Sequence, residues 1–321
     1  MSPTKPFFWI LAAVIATFAL LPWLTNDIGL REGLILSAIY IILASNLNLM
    51  IGYTGYVNFG NIVFFGLGGY IGIYLTLAAG VPMVLAAVIS GAVVAGVAFL
   101  FGLGILRLRG AFFALSTIGI AEAVKAFVSN FEPWGGATGL YLARADFDTL
   151  GGRREAMWLI YFLIVAVMGA SLYLSYYIKT SKFGLGLFAI REDEDAASVL
   201  GVKTPLYKSI IYSVSGFLPA VAGTLFFFKS GVIQPEQAFD LQLSIEAIVV
   251  LMLGGQGSIT GAALGAFTYE RFRSYLLVSP ELSSFQMVIA GALLLVTVLF
   301  VPGGLMGWAY RRWPKLREIF E

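Results

Sequence analysis

Ser181-Lys182-Phe183-Gly184-Leu185-Gly186-Leu187-Phe188-Ala189-Ile190-Arg191-Glu192-Asp193-Glu194-Asp195-Ala196-Ala197-Ser198-Val199-Leu200-Gly201 lies at the centre of the longest polar interruption in the C-terminal half of the chain, Lys179 to Lys208. Apolar runs flank it at 157–178 and 207–228, each long enough to cross a hydrocarbon core of roughly 30 Å as a helix. A short, part-amphipathic helix between two spans is more than a linker needs. It predicts a docking surface.

Working outward, the same alternation fills the 321 residues: 59% are hydrophobic and 12% charged, against about 25% charged in a soluble domain. The mean hydropathy is +0.89. We therefore expect an all-α polytopic integral membrane protein. The runs are continuous rather than alternating, which argues against a β-barrel. A net charge of +2 is too small to imply nucleic acid. There is no Cys and no His, which removes disulfides, thiol catalysis, Cys/His metal sites and the commonest general base.

Ten candidate spans emerge, at about 7–24, 33–51, 59–79, 82–106, 111–130, 157–178, 207–228, 241–254, 259–278 and 285–302. The third, eighth and ninth are Gly-rich and are expected to be broken or re-entrant, so eight to ten count as crossings. Such backbone is tolerated at membrane depth only against protein or a water-filled cavity. The first run resembles a signal sequence, but no small-residue cleavage site follows it, and it reads as a retained span. With the N-terminus inside, inner loops and ends hold twelve Lys and Arg, and outer loops hold five. That supports two cytoplasmic termini. It also puts the 179–206 loop inside and the 131–156 loop, with Trp134-Gly135-Gly136-Ala137-Thr138-Gly139-Leu140, outside as a mouth, lid or plain loop. The whole chain, 1–321, reads as one transmembrane domain. Trp9, Trp23, Trp308 and Trp313 fit an interfacial belt.

No nucleotide-binding motif is present, because Gly201-Val202-Lys203-Thr204 lacks the upstream Gly of a P-loop. Any ATP used must be bound by another subunit. Four ionisable residues fall inside spans: Glu122, Lys125, Glu246 and Glu270. Intramembrane charge is costly and marks a paired or functional site. Glu122 and Lys125 share a helix face and can pair. Glu246 has no basic neighbour in sequence, so a translocation path, a subunit joint or a pairing between helices all suit it. Glu270 sits beside Arg271 and Arg273, which suits local neutralisation. Asn46, Asn48, Asn58 and Asn61 offer amides beside a Gly-rich break, either to a small polar ligand or to neighbouring helices. Gly254, Gly255, Gly257, Gly261 and Gly265 read as close helix packing.

Five segments, in order and at consistent separations, resemble the permease subunits of bacterial and archaeal ABC importers for branched-chain amino acids. Urea and amide importers are close cousins. The segments are Gly52 to Tyr70, with Tyr53-Thr54-Gly55-Tyr56-Val57-Asn58-Phe59-Gly60-Asn61; Arg107-Leu108-Arg109-Gly110-Ala111-Phe112-Phe113-Ala114 with Thr117 to Glu122; Ile190 to Gly201; Ser244-Ile245-Glu246 through Ala266; and Pro302-Gly303-Gly304-Leu305-Met306-Gly307. The resemblance covers roughly 33–307. Of the two permeases that such importers pair, the chain looks like the one containing Arg-x-Arg-Gly. It departs from the family pattern at Asn61, often His, and Tyr56, often Gln or Leu, which bears on the substrate. Leu185 and Phe188 stand where basic residues are common, which implies an apolar docking face.

The resemblance implies that the 184–201 segment is a coupling helix docking into an ATPase. Gly184, Gly186, Ala189, Ile190, Arg191, Glu192, Asp193, Ala196, Ala197, Leu200 and Gly201 would carry the coupling. Asn46, Asn58, Asn61, Glu122 and Glu246 are the expected substrate path. The implied partners are a second related permease, two ABC ATPase subunits, an external solute-binding protein and the lipid bilayer of a prokaryotic plasma membrane. The chain itself would hold no cofactor, leaving ATP to its partners, and would perform no covalent chemistry. A urea or amide permease is the near alternative. A stand-alone secondary transporter would have to couple ions through Glu122 or Glu246, and an intramembrane enzyme would need a carboxylate-only mechanism.

Overall fold

A computed structural model describes residues 5–143, 151–278, 288, 291, 292, 295 and 303–312. The helices are α1 (Lys5–Thr25), α2 (Ile28–Thr54), α3 (Asn61–Ala79), α4 (Met83–Ile105), α5 (Ala111–Asn130), α6 (Arg153–Thr180), α7 (Lys182–Glu192), α8 (Glu194–Val199), α9 (Thr204–Ser230), α10 (Pro235–Ala238), α11 (Leu241–Gly254), α12 (Ile259–Val278) and α13 (Gly304–Arg312). Two short strands, β1 (Leu140–Tyr141) and β2 (Val232–Ile233), pair antiparallel.

Among the described residues, seven helical segments are long and apolar enough to cross a membrane: α2, α3, α4, α5, α6, α9, and α10–α11 taken together. The protein is a multi-pass membrane protein. α12 has the length, but Glu270, Arg271 and Arg273 interrupt its apolar character. α1 contributes a shorter apolar stretch, Leu11–Thr25. It packs on α6, where the Tyr161 hydroxyl donates to the Phe18 carbonyl. Apart from 288, 291, 292 and 295, the expected span at 285–302 lies outside the described residues, as does Trp313. Trp9, Trp23 and Trp308 are exposed, as belt residues would be.

α2 is the central post. Asp27 caps it, accepting from the Gly29 and Leu30 N–H groups, and Gly55 ends it in the left-handed region at φ 77°. Every residue from Ser37 to Thr54 is buried. α6 runs parallel to it: Asn46 Nδ2 donates to Ser171 Oγ at 3.1 Å, and the Tyr53 hydroxyl to the Ser175 carbonyl at 3.1 Å.

α3 is broken off from α2, as its glycines suggested. Asn61, its first residue, donates to the Leu43 carbonyl, 11 residues above the end of α2. At 1.5 Å per residue that is about 16 Å into the span. Non-helical backbone at this depth needs internal partners, and two other spans and the stretch's own Asn58 supply them. Phe59 N–H donates to Thr117 Oγ1 of α5 at 3.1 Å, Gly60 N–H to Asn58 Oδ1 at 2.9 Å, and Ile62 N–H to Ser244 Oγ of α11 at 3.0 Å.

From there α3 runs parallel to α9 along a seam of small residues. A Cβ on Gly68 would lie 2.2 Å from the Ala220 carbonyl oxygen, and one on Gly223 would lie 2.0 Å from that of Phe65. The approach lets Thr224 Oγ1 donate to the Gly68 carbonyl at 2.7 Å while Ser90 Oγ of α4 meets it at 2.8 Å. Small residues at an interface let backbones close to bonding distance in a bilayer, where apolar surface alone gives no drive to associate. α11 and α12 form a similar hairpin, with Gly265 against the Val250 carbonyl and Gly254 against Gly261.

The two predicted loops lie at opposite ends of this bundle. At one end Trp134 stacks on Tyr70, with centroids 5.5 Å apart, and β1 joins β2 at the exit of α9. The Trp134–Leu140 stretch is therefore a packed cap. At the other end lie α7 and α8.

Candidate functional site: a wired docking segment

The polar interruption forms two helices, where one was expected over 184–201. Asp193 makes the break. Its backbone is extended at φ −158°, and its carboxylate accepts from the Asp195 and Ala196 N–H groups, at 2.9 and 3.0 Å, as the N-cap of α8. Ser181 caps α7 in the same way through Gly184 N–H.

The small residues expected to form the docking face turn inward instead. Gly184, Leu187, Ile190 and Ala197 are buried against the chain, and Gly186 and Ala189 are half-buried. A Cβ on Gly184 would lie 2.1 Å from the Ile178 carbonyl oxygen, and one on Gly186 would lie 2.5 Å from the Tyr207 ring. Phe188 is half-buried with its ring 5.1 Å from that of Tyr53, so it does not extend the docking face. The face left to solvent consists of Leu185 (67% exposed), Val199 (87%) and Leu200 (82%), with Arg191, Glu192, Asp193, Ala196 and Gly201 around them.

Polar contacts tie this segment to four elements of the bundle. Arg191 Nη1 donates to the Gly52 carbonyl at 2.6 Å, at the last turn of α2. That end of α2 is bracketed to the α11–α12 turn, because Asn48 accepts from Gly257 N–H at 2.7 Å and donates to the Ser258 carbonyl at 3.2 Å. Glu194 accepts from Lys208 Nζ of α9 at 2.7 Å and from the Tyr56 hydroxyl at 2.6 Å. Lys208 is only 2% exposed. Its three ammonium protons go to Glu194, Tyr56 and the Leu106 carbonyl. Arg109, in the α4–α5 loop, grips Asp195 with both terminal nitrogens, at 3.0 and 2.7 Å.

The electrostatics follow from this geometry. Burial pushes the Glu194 carboxyl up, but the Lys208 ammonium, the Tyr56 hydroxyl and Arg109 outweigh it and hold the group below the usual carboxylate range. Arg109 likewise lowers Asp195. Burial and the bond to Glu194 raise the Tyr56 hydroxyl, keeping it a donor. A buried ammonium with every proton placed is rigid, and removing one partner leaves a desolvated charge. The segment is therefore fixed to the bundle and cannot be shifted alone.

The expected path residues do not converge. Asn46 and Asn61 are fully buried helix joints and Asn58, also buried, accepts from Gly60 N–H, although Asn46 Oδ1, Asn58 Nδ2 and Asn61 Oδ1 find no partner among the described residues. Glu246 is buried as well. It accepts from the Tyr40 hydroxyl and from Gln242 Nε2 at 2.8 Å, with Arg273 Nε 3.8 Å away. Arg273 thus supplies the partner that sequence proximity did not show. Glu270, also buried, accepts from Ser274 Oγ at 2.7 Å. Glu122 is exposed on α5 and makes no ion pair among the described residues. Lys125 instead reaches Glu236 at 3.0 Å, so the expected Glu122–Lys125 pair does not form. Tyr56, which was expected to bear on the substrate, lies between α2 and α3 and bonds Glu194 of α8. Lys208 is not among the candidate residues that the sequence singles out. A lone Lys in the first turns of an apolar span, beside an acidic run, was the available signal.

A bundle of broken and continuous spans, with two short polar helices wired to its core, defines a multi-pass membrane protein. Residues 29–298 match the family described as branched-chain amino acid transport system / permease component, and the chain belongs to that family. It is 28% identical over 300 residues to the high-affinity branched-chain amino acid transport system permease protein LivM of Escherichia coli, covering 84% of this chain and 68% of that protein. It is 26% identical over 301 residues to LivH of the same organism, covering 86% and 94%. Over 147 residues it is 31% identical to the autoinducer 2 import system permease protein LsrC of Photorhabdus luminescens, covering 44% and 42%.

Proposed function

We propose that this chain is one permease of an ATP-driven importer for branched-chain amino acids or chemically related solutes, and that α7–α8 is where an ATPase subunit pushes on it. The observation that carries the reading is the wiring of that segment: Arg191 to α2, Glu194 to α9 and the 55–60 strap, and Asp195 to the α4–α5 loop. A force applied at Leu185, Val199 and Leu200 reaches all four elements at once. In this reading α7–α8 faces the cytoplasm, both termini lie on that side, and the β1–β2 cap meets an external solute-binding protein. The chain acts as a single permease domain in a prokaryotic plasma membrane. It pairs with a second related permease and two ATPases, which bind the ATP.

Glu122 supports the placement of the path. It lies on α5, a span with only 22% of its apolar stretch buried, and a carboxylate at membrane depth is costly toward lipid. The α5 face is therefore assigned to the second permease and the solute path between them. Asn46, Asn58, Asn61 and Glu246 act from behind, holding the helices that frame it.

The test is purification of the tagged chain from its native membrane, followed by paired measurements of ATP hydrolysis and solute uptake in vesicles. Co-purifying ATPases, with coupling lost in Arg191→Glu, support the reading. Gradient-driven uptake by the chain alone would replace it with a secondary transporter.

A further inference from the structure

At the end opposite α7–α8, the N-termini of α2 and α6 lie side by side and flank an open cavity of about 430 Å3. Asn26, Asp27, Ile28, Arg31, Arg153, Arg154, Met157 and Trp158 line it. Among the described residues that line it, three guanidinium groups face one carboxylate and make it basic, and Asp27 is already committed to capping α2. Arg31 is largely buried, with its guanidinium 5.0 Å above the Trp158 ring. Its ion-pair partner among the described residues, Glu32, is 3.7 Å away and is engaged by Lys229. Arg31 Nε is buried without a partner among the described residues. Arg153 and Arg154 are exposed and form no ion pair among those residues.

Depth narrows the choice of ligand. α2 has 27 residues and α6 has 28, each about 40 Å as a helix, whereas the hydrocarbon core is roughly 30 Å. That excess lets their first turns, which carry Asp27, Arg31, Arg153 and Arg154, reach the headgroup layer. A planar donor fork at that level matches a phosphate oxyanion. The apolar wall of Ile28, Met157 and Trp158 suits a molecule that continues into the bilayer.

The geometry points to a binding site for a phosphate ester at this surface, in the first instance the headgroup of an anionic phospholipid, held by Arg31 from within and by Arg153 and Arg154 from the rim. None of these residues touches the docking segment, so the site stands independently of the coupling reading.

The experiment is native mass spectrometry of the full chain in mild detergent, titrated with phosphatidylglycerol or phosphatidylcholine, and separately with glycerol phosphate and inorganic phosphate. The wild type should prefer phosphatidylglycerol by about tenfold or more, the size of one or two charge-assisted bonds. The exposed pair of changes Arg153→Ala and Arg154→Ala should erase that preference without altering folded yield. Arg31→Lys, which keeps the charge but loses the fork, should weaken it. Displacement by millimolar glycerol phosphate would assign the same site to a soluble ester. Unchanged lipid preference in the double variant, or binding of neither source, overturns the proposal. So does loss of external binding-protein capture as its only effect, which would make the arginines a protein contact.

Discussion

Lys208 and Glu194 lie 14 residues apart in sequence, on different helices, with nitrogen and oxygen 2.7 Å apart and the lysine closed off from solvent. The pair joins the docking segment to α9, and α9 is fused to α3 through the glycine seam. Glu194→Ala strands a buried ammonium and should cost about 3 kcal/mol. Lys208→Met leaves Glu194 with Tyr56 and Arg109 and should cost less. The double change should cost less than the sum, and thermal melts of the four proteins in one detergent measure that coupling.

Arg191→Glu should leave folding nearly intact and uncouple ATP hydrolysis from uptake. It replaces the donor to the Gly52 carbonyl with a repelled acceptor. Ala197→Trp should act more severely, because Ala197 is 2% exposed and faces inward; α8 would be lifted from the bundle. Uptake per ATP hydrolysed, measured in vesicles, separates the two from simple loss of protein.

The acidic pair predicts a pH limb. Folding holds Glu194 and Asp195 below their ordinary ionisation range. Their contribution is therefore fully present above the unfolded carboxylate values, about 4, and is lost as pH falls through the lower folded ones. The melting temperature should be insensitive to these groups between about pH 8 and 5 and should decline below about pH 4. Glu194→Gln should flatten part of that decline.

Glycine substitutions should divide sharply. Gly68→Val drives a side chain into the Ala220 backbone and should abolish folded yield. Gly96, in α4, has open space around its Cβ position, so Gly96→Ala should be neutral or stabilising by up to about 1 kcal/mol. Size-exclusion profiles and melts distinguish the outcomes.

Glu246→Gln keeps the bond from Tyr40 but removes the charge facing Arg273. A joint between α2, α11 and α12 predicts lower thermal stability with proportionate loss of uptake. Normal stability with selective loss of uptake would place Glu246 on the solute path itself.

Much of this architecture was legible in the chain, because a bilayer makes length and hydropathy nearly sufficient. The seven long apolar helices, the break before α3 and the short polar helices between α6 and α9 all follow from runs of residues and their interruptions. What was not legible is what faces what. Asp193 divides the docking helix because a carboxylate can cap the turn that follows it, yet in an acidic run each residue looks alike. The small face of α7 was expected outward and is inward, since glycine and alanine serve a close approach as readily as a partner. Lys208, Tyr56 and Arg109 come together only through the fold, and Glu246 finds Arg273 across 27 residues of hairpin.

The strap between α2 and α3 also bounds how far this machine can travel. From Thr54 to Asn61 the chain takes seven steps, at most about 25 Å when taut. It already bridges about 16 Å of depth and an interaxial gap of roughly 8–10 Å, or about 18 Å in all. About 7 Å of slack remains. α3, and with it α9, can ride upward by about that stroke before the end of α2 is dragged along. Lengthening the strap by glycines would loosen the transmission without touching either helix.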